Sequence, residues 1–167
     1  MPCEHVFEVA FDLHHRKRMT PCAESSLLPT QIGMQYSVKP RTIVLCNFDA
    51  GGFRPPEMVK RRPAIVLVGA LPGRNNLHTV VPLSGTESPP ERKYHCRLQF
   101  AEPLPAPFAE TIWWAKADMT ATVSLKRLDL FQTARDQYGK RKYLTTLRVD
   151  EAQFERVKET VRHAFGL

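Results

Sequence analysis

The sequence predicts a mainly β domain: a small barrel or sandwich of short strands with a C-terminal amphipathic helix laid on it. Three observations point that way. From Val38 onward, short apolar runs rich in β-branched residues alternate with turn material. The 14 prolines and 8 glycines of the 167-residue chain interrupt it too often for long helices. Only the segment after Asp150 repeats its apolar residues at helical spacing.

Residues 42–48 have the β-branched content of a first strand, within which Cys46 serves as a small hydrophobe. Residues 49–52 are turn material, and residues 53–60, with Pro55-Pro56, make a rigid exposed loop. Residues 64–68 are too short and too uniformly apolar for a surface helix and predict a central strand. A turn at 72–76 returns the chain into a strand at 78–83, where Pro82 predicts an edge or a bulge. After a loop opened by Ser88-Pro89-Pro90, residues 94–100 alternate as a half-buried strand. Pro103, Pro105 and Pro107 mark an extended connector.

Strands at 111–115 and 119–125 follow, then a short helix or turn at 126–130. Trp113 and Trp114 fit core or dimer-interface positions better than base-stacking platforms. Asp150 and Gln153 have the spacing of a capping box, with Asp in place of Ser or Thr. Phe154, Val157, Val161 and Ala164 or Phe165 then form the apolar stripe of a helix that Gly166 terminates.

A hydrophobic fraction of 43% and a charged fraction of 25% are ordinary for a soluble globular protein. No apolar run approaches the roughly 20 residues that span a bilayer. The start lacks the basic and apolar regions of a signal peptide, so a cytoplasmic protein is expected. Cys3, Cys22, Cys46 and Cys96 lack paired spacing and fit a reducing compartment. The net charge of +7 and pI of about 9.5 favour a polyanionic partner: RNA, DNA or an acidic protein.

Residues 1–35 stand apart, with His5, His14, His15 and the basic knot Arg16-Lys17-Arg18. They are expected to be a disordered leader or a product of start-site choice, since Met19 and Met34 each offer a later start. The folded domain is placed at 36–167. A metal site from Cys3, His5, His15 and Cys22 is rejected because its spacing matches no zinc pattern.

Chemistry is concentrated at three places. Arg62 closes the basic run Lys60-Arg61-Arg62, and Pro63 restricts it to extended backbone. A guanidinium so placed meets phosphate oxygens bidentately and stabilises developing negative charge. Lys60 and Arg61 suit diffuse backbone contacts, which give salt-dependent affinity without sequence choice. Ser84 ends the apolar run 79–83 and is followed by Thr86 and Ser88. No nucleophile elbow surrounds it, which disfavours a Ser-His-Asp hydrolase, but binding a non-bridging phosphate oxygen asks less of its context. Lys116 and Asp118, two apart in what reads as an extended segment, share a face; they form either an acid/base pair or a surface ion pair. Glu57 is a further carboxylate on the loop. No phosphate-binding loop, dinucleotide fingerprint or metal motif appears, so metal-free, cofactor-free chemistry is the default.

In this order, the residues resemble the MazF/PemK family of type II toxins, in particular its PemK-like branch. The matching signature is the strand 43–48, a Gly-containing loop, Arg62-Pro63 entering an apolar strand, and Val81-Pro82-Leu83-Ser84. A strand bearing Asp118, then Thr122-Val123-Ser124-Leu125 leading into Arg127-Leu128, and a terminal helix complete it. The resemblance implies an SH3-like barrel that cleaves single-stranded RNA without metal, by attack of the ribose 2′-hydroxyl on the adjacent phosphate. Arg62 would stabilise the phosphorane or act as acid, and Ser84 would bind the phosphate. Lys116 and Asp118 fall where some members place an arginine–aspartate acid/base pair; lysine lacks the arginine fork. Glu57, Lys60, Arg61 and Thr86 would contact RNA.

The resemblance further implies a homodimer that inhibits translation and growth. An acidic antitoxin would neutralise it, in a complex that binds DNA. The chain departs from the family pattern at Pro40-Arg41, where relatives often carry Gly-Asp. Two rivals remain: a gyrase poison of the related CcdB type, which does not need the Arg-Pro and Pro-x-Ser pair, and an inactive RNA-binding module.

Overall fold

A computed structural model describes residues 34, 36–89 and 92–167; apart from Met34, the leader lies outside them. Among them are seven strands: β1 (Ile43–Asn47), β2 (Arg61–Val68), β3 (Leu77–Ser84), β4 (His95–Gln99), β5 (Ile112–Lys116), β6 (Ala121–Ser124) and β7 (Leu128–Asp129). One helix, α1 (Glu151–Phe165), ends the chain. The strands form one antiparallel sheet in the order β4-β5-β3-β2-β1-β7, with β6 pairing to β3. Among the described residues this is the mainly β architecture with a C-terminal helix expected from the sequence.

The uniform apolarity of β2 follows from burial on both faces. Ile65 joins Ile43, Val81, Leu83, Leu98, Trp113 and Phe131 in the core beneath α1. Ala64 and Val66 join Val44, Cys46, Phe48, Val80 and Val123 in a second core on the opposite face. A strand between two cores has no solvent face on which polar residues could alternate. Cys46, fully buried with its thiol pushed up to about 12, is the inert hydrophobe its position implied.

Three local expectations need correction. β2 begins at Arg61, not at residue 64, because Arg61 and Arg62 pair with Asn47 and Cys46 of β1. Pro82 marks neither an edge nor a bulge: it pairs with Ala64 in the sheet interior, and the β2–β3 irregularity lies between Val66 and Val68. Its missing N–H is tolerated where β3 changes partners, since β6 register ends at Val80 and β5 register starts at Leu83. Residues 117–119 form a 3₁₀ turn, so Asp118 is not in an extended segment with Lys116 and β6 starts only at Ala121.

The helix ends carry the expected signals. The Asp150 carboxylate accepts the Gln153 N–H at 2.8 Å, and Gly166 at φ 70° caps the C-terminus in the left-handed region. Gln153 also reaches across to edge strand β4, accepting from the Gln99 N–H and donating to the Gln99 carbonyl, both at 2.9 Å. Arg156 donates to the Arg97 carbonyl at 2.6 Å. These side chains cover backbone groups that an edge strand would leave open for association. The stripe is buried at Phe154 and Val157, whereas Phe165 is exposed beyond the sheet.

Gln153→Ala keeps the backbone cap bond but removes the side-chain bond to Asp150 and both edge bonds, and is expected to lower stability by about 1–2 kcal/mol. Chemical denaturation would register this as a lower midpoint, and an unchanged midpoint would contradict it. His78 supplies a pH dependence. The ring is fully buried and its Nε2 accepts the Val38 N–H at 3.1 Å, so burial holds its pKa below the ordinary 6.5. The unfolded chain therefore binds the proton more tightly, and stability present above that value is lost as the pH falls below it. Thermal unfolding should show a falling midpoint on acidification, with a smaller slope in His78→Gln.

Candidate active site

The register of the sheet assembles the site. Cross-strand partners share a face, and so do alternate residues along a strand. Cys46 pairs with Arg62, Ser84 with Trp114, and Trp114 with Arg97. Continuing the Ala64–Pro82 register by two residues sets Arg62 across from Ser84. Cys46, Arg62, Ser84, Trp114 and Arg97 thus make one row across five strands. The neighbouring row on the same face runs through Ala64 and Pro82 to Lys116 and its partner His95. Towards β1 this face is the second apolar core; towards β5 and β4 it becomes polar and cationic.

Arg62 is aimed by the loop before it. Lys60 adopts φ 71°, unusual for a residue with a side chain. Its N–H donates to Asp49 Oδ1 at 2.8 Å, and its carbonyl accepts the Phe48 N–H at 3.1 Å. Arg127 secures the same corner by donating to the carbonyls of Asn47 at 2.9 Å and Phe48 at 3.1 Å. Its guanidinium lies 4.9 Å from the Phe53 ring centroid, where a Cβ on Gly51 would overlap it. Arg62 Nε donates to the Val59 carbonyl at 3.0 Å, which orients the fork. Among the described residues no carboxylate pairs with that guanidinium.

Ser84 is buried, and its oxygen accepts the Thr86 N–H at 3.1 Å. That bond uses a lone pair and fixes the hydroxyl while leaving its proton free to donate. The contact of Thr86 with Ser84 is made by its backbone N–H.

The other residues assigned to RNA contact divide. Arg61 lies on the opposite face of β2 and pairs with Asp129 at 2.5 Å. Glu57 closes its own turn, accepting the Arg54 N–H at 3.0 Å. Lys60 is exposed beside the site. The tryptophans also separate. Trp113 is core, its indole N–H donating to the Glu110 carbonyl at 3.0 Å, whereas half-buried Trp114 stands on the polar face between Ser84 and Arg97.

Lys116 and Asp118 do not pair directly. His95, which the sequence did not single out, stands between them: Nε2 lies 3.0 Å from Asp118 Oδ1 and Nδ1 lies 3.4 Å from Lys116 Nζ. The Ser88 hydroxyl also bonds Nδ1. Ser88-His95-Asp118 is therefore a hydrogen-bonded chain of the composition that the sequence disfavoured. Ser88 is only 2% exposed, so it cannot present a nucleophile to a polymer. Burial lowers the pKa of Lys116, opposed by Asp118 and aided by Arg92. The only hint of His95 in the sequence was the alternation of 94–100, which puts residue 95 on the same face as 97 and 99.

Residues 39–165 match the family model for PemK-like, MazF-like toxins of type II toxin–antitoxin systems. The Escherichia coli (strain K12) protein YifN is 33% identical over 121 residues, covering 62% of this chain and 80% of that protein. The crystal structure of MazF from Deinococcus radiodurans superposes with a TM-score of 0.52 at 17% identity, covering 79% of this chain and 99% of that one. A mycobacterial endoribonuclease solved with its cognate antitoxin gives a TM-score of 0.48 at 16% identity, covering 77% and 94%. No helix among the described residues is long and apolar enough to cross a membrane. With residues 39–165, about three quarters of its length, matched, the chain belongs to the PemK-like, MazF-like toxins of type II toxin–antitoxin systems.

Proposed function

We propose that the protein is a metal-independent endoribonuclease toxin that cuts single-stranded RNA, mRNA above all, and thereby inhibits translation and growth. The observation that carries this is the Arg62–Ser84 row: an unneutralised guanidinium across from a fixed hydroxyl with a free proton. Ser84 donates to a non-bridging phosphate oxygen. Arg62 spans the equatorial oxygens and stabilises the charge that develops as the phosphorane forms. The ribose 2′-oxygen attacks phosphorus, the bond to the 5′-oxygen breaks, and the products are a 2′,3′-cyclic phosphate and a 5′-hydroxyl. Asp118, the exposed carboxylate at the end of the face, takes the 2′-hydroxyl proton. Lys116 gives a proton to the departing 5′-oxygen; its burial makes it a stronger acid than a solvated lysine. The two side-chain cations fill the electrostatic role a metal ion would otherwise supply.

Trp114 and Arg97 extend the row and offer a stacking surface and a phosphate contact for the flanking nucleotides. The acidic tail of a cognate antitoxin would compete for the same cationic face, and a homodimer would bring two such faces together. As in the family, the toxin–antitoxin complex would bind DNA. Arg61, held by Asp129, contributes less to RNA affinity than its place in the basic run implied.

Purified protein incubated with a long single-stranded RNA in EDTA should give discrete cuts with 5′-hydroxyl ends. Arg62→Ala should slow cleavage on the order of 10²-fold or more. RNA that stays intact under these conditions would favour the CcdB-type poison or an inactive RNA-binding module. Equal rates for Arg62→Ala and wild type would remove Arg62 from the mechanism.

A further inference from the structure

We infer that His95 is a positioning residue for cleavage: a neutral imidazole whose Nε2–H holds the Asp118 carboxylate while its Nδ1 lone pair receives Ser88 and Lys116. This role rests on the endoribonuclease function proposed above.

One arrangement of protons satisfies Asp118, Lys116 and Ser88 together. A carboxylate only accepts, so the 3.0 Å contact between Asp118 Oδ1 and His95 Nε2 requires hydrogen on Nε2. An ammonium only donates, so the 3.4 Å contact between Lys116 Nζ and Nδ1 requires a lone pair there. The Ser88 hydroxyl serves as a second donor to that lone pair. An imidazolium would turn a third proton toward those two donors and break the arrangement. The His95 side chain is 3% exposed and that of Asp118 is 37% exposed, so His95 acts through Asp118 and does not meet RNA itself.

The surroundings keep the ring neutral. Burial lowers its pKa from the ordinary 6.5, Lys116 and Arg92 push the same way, and Asp118 opposes them. Lys93 and Arg97 flank it on its own strand segment. Across an open groove of about 440 Å³, α1 presents Arg156, Glu159 and His163. Protonation would bind Asp118 into an ion pair and take its lone pairs away from the ribose hydroxyl. It would also expel Lys116. Activity should therefore fall as the ring gains a proton, although the ring never touches the substrate.

The test is a pH–rate profile on an RNA with one cut site, across about pH 5–8, for wild type, His95→Gln and His95→Ala. Glutamine keeps an amide donor near the Nε2 position but cannot titrate. Wild type should lose activity on the acid side of the ordinary 6.5. His95→Gln should lose some rate at neutral pH and lose that acid limb. His95→Ala should lose on the order of 10²-fold across the range, as displaced catalytic groups do. Nitrogen NMR of wild-type imidazoles adds a readout that needs no variant to fold: the Nε2–H tautomer is expected. An acid limb unchanged in His95→Gln, or an Nδ1–H tautomer, overturns the role and leaves the endoribonuclease standing. Wild type inert on RNA at every pH overturns the endoribonuclease, and this role with it.

Discussion

The pairing of β2 with β3 is the constraint on which the rest depends. Both strands are apolar on both faces, because one core takes Ile65, Val81 and Leu83 and the other takes Ala64, Val66 and Val80. A slip of one residue would exchange the two sets and push differently sized side chains into two filled cores. Double burial therefore pins the register, and the pinned register sets Arg62 opposite Ser84. The irregularity between Val66 and Val68 is displaced to the far end of the pair, where it does not disturb that match. Packing in this protein is the positioning device of the site.

The same sheet face then changes character along its width. Beside β1 it is closed by Phe48, Val123 and Leu128. Beside β4 and β5 its side chains are Trp114, Lys116, His95 and Arg97. Lys116 at this position is costly, since burial opposes its charge, and the compensation comes from a short network. The imidazole of His95 connects the lysine to the carboxylate of Asp118 and joins two oppositely charged groups that the 3₁₀ turn separates. Edge strand β4, which carries His95, is in turn held by Gln153 and Arg156 of α1. The terminal helix thus supports the site at a distance.

Much of this was legible in the sequence. The β-rich class and the terminal helix followed from periodicity, turn residues and the Asp150–Gln153 spacing. The Arg62 and Ser84 positions followed from strand-end chemistry and from the order of motifs along the chain. What escaped has physical causes. Arg61 and Arg62 were placed before the strand and not in it because a strand end that is exposed on one side carries charge as readily as a loop does. Pro82 misled because a central strand that exchanges partners tolerates a missing N–H there. His95 escaped because its value lies in contacts with residues 7, 21 and 23 positions away, which no local pattern encodes. Asp118 kept its place near Lys116, but by a turn and a bridging ring rather than by strand alternation.

The proposed function places RNA on the face from Arg62 to Arg97, and the two tryptophans make that measurable. Trp114 belongs to that face and Trp113 to the core on the other side of the same strand. Titration with a single-stranded RNA blocked by 2′-O-methyl groups, followed by NMR of the two indole N–H signals, separates them. The account predicts that the Trp114 signal shifts and the Trp113 signal, held by the Glu110 carbonyl, stays in place. A bound RNA that leaves Trp114 unmoved would contradict the account and put the binding surface elsewhere.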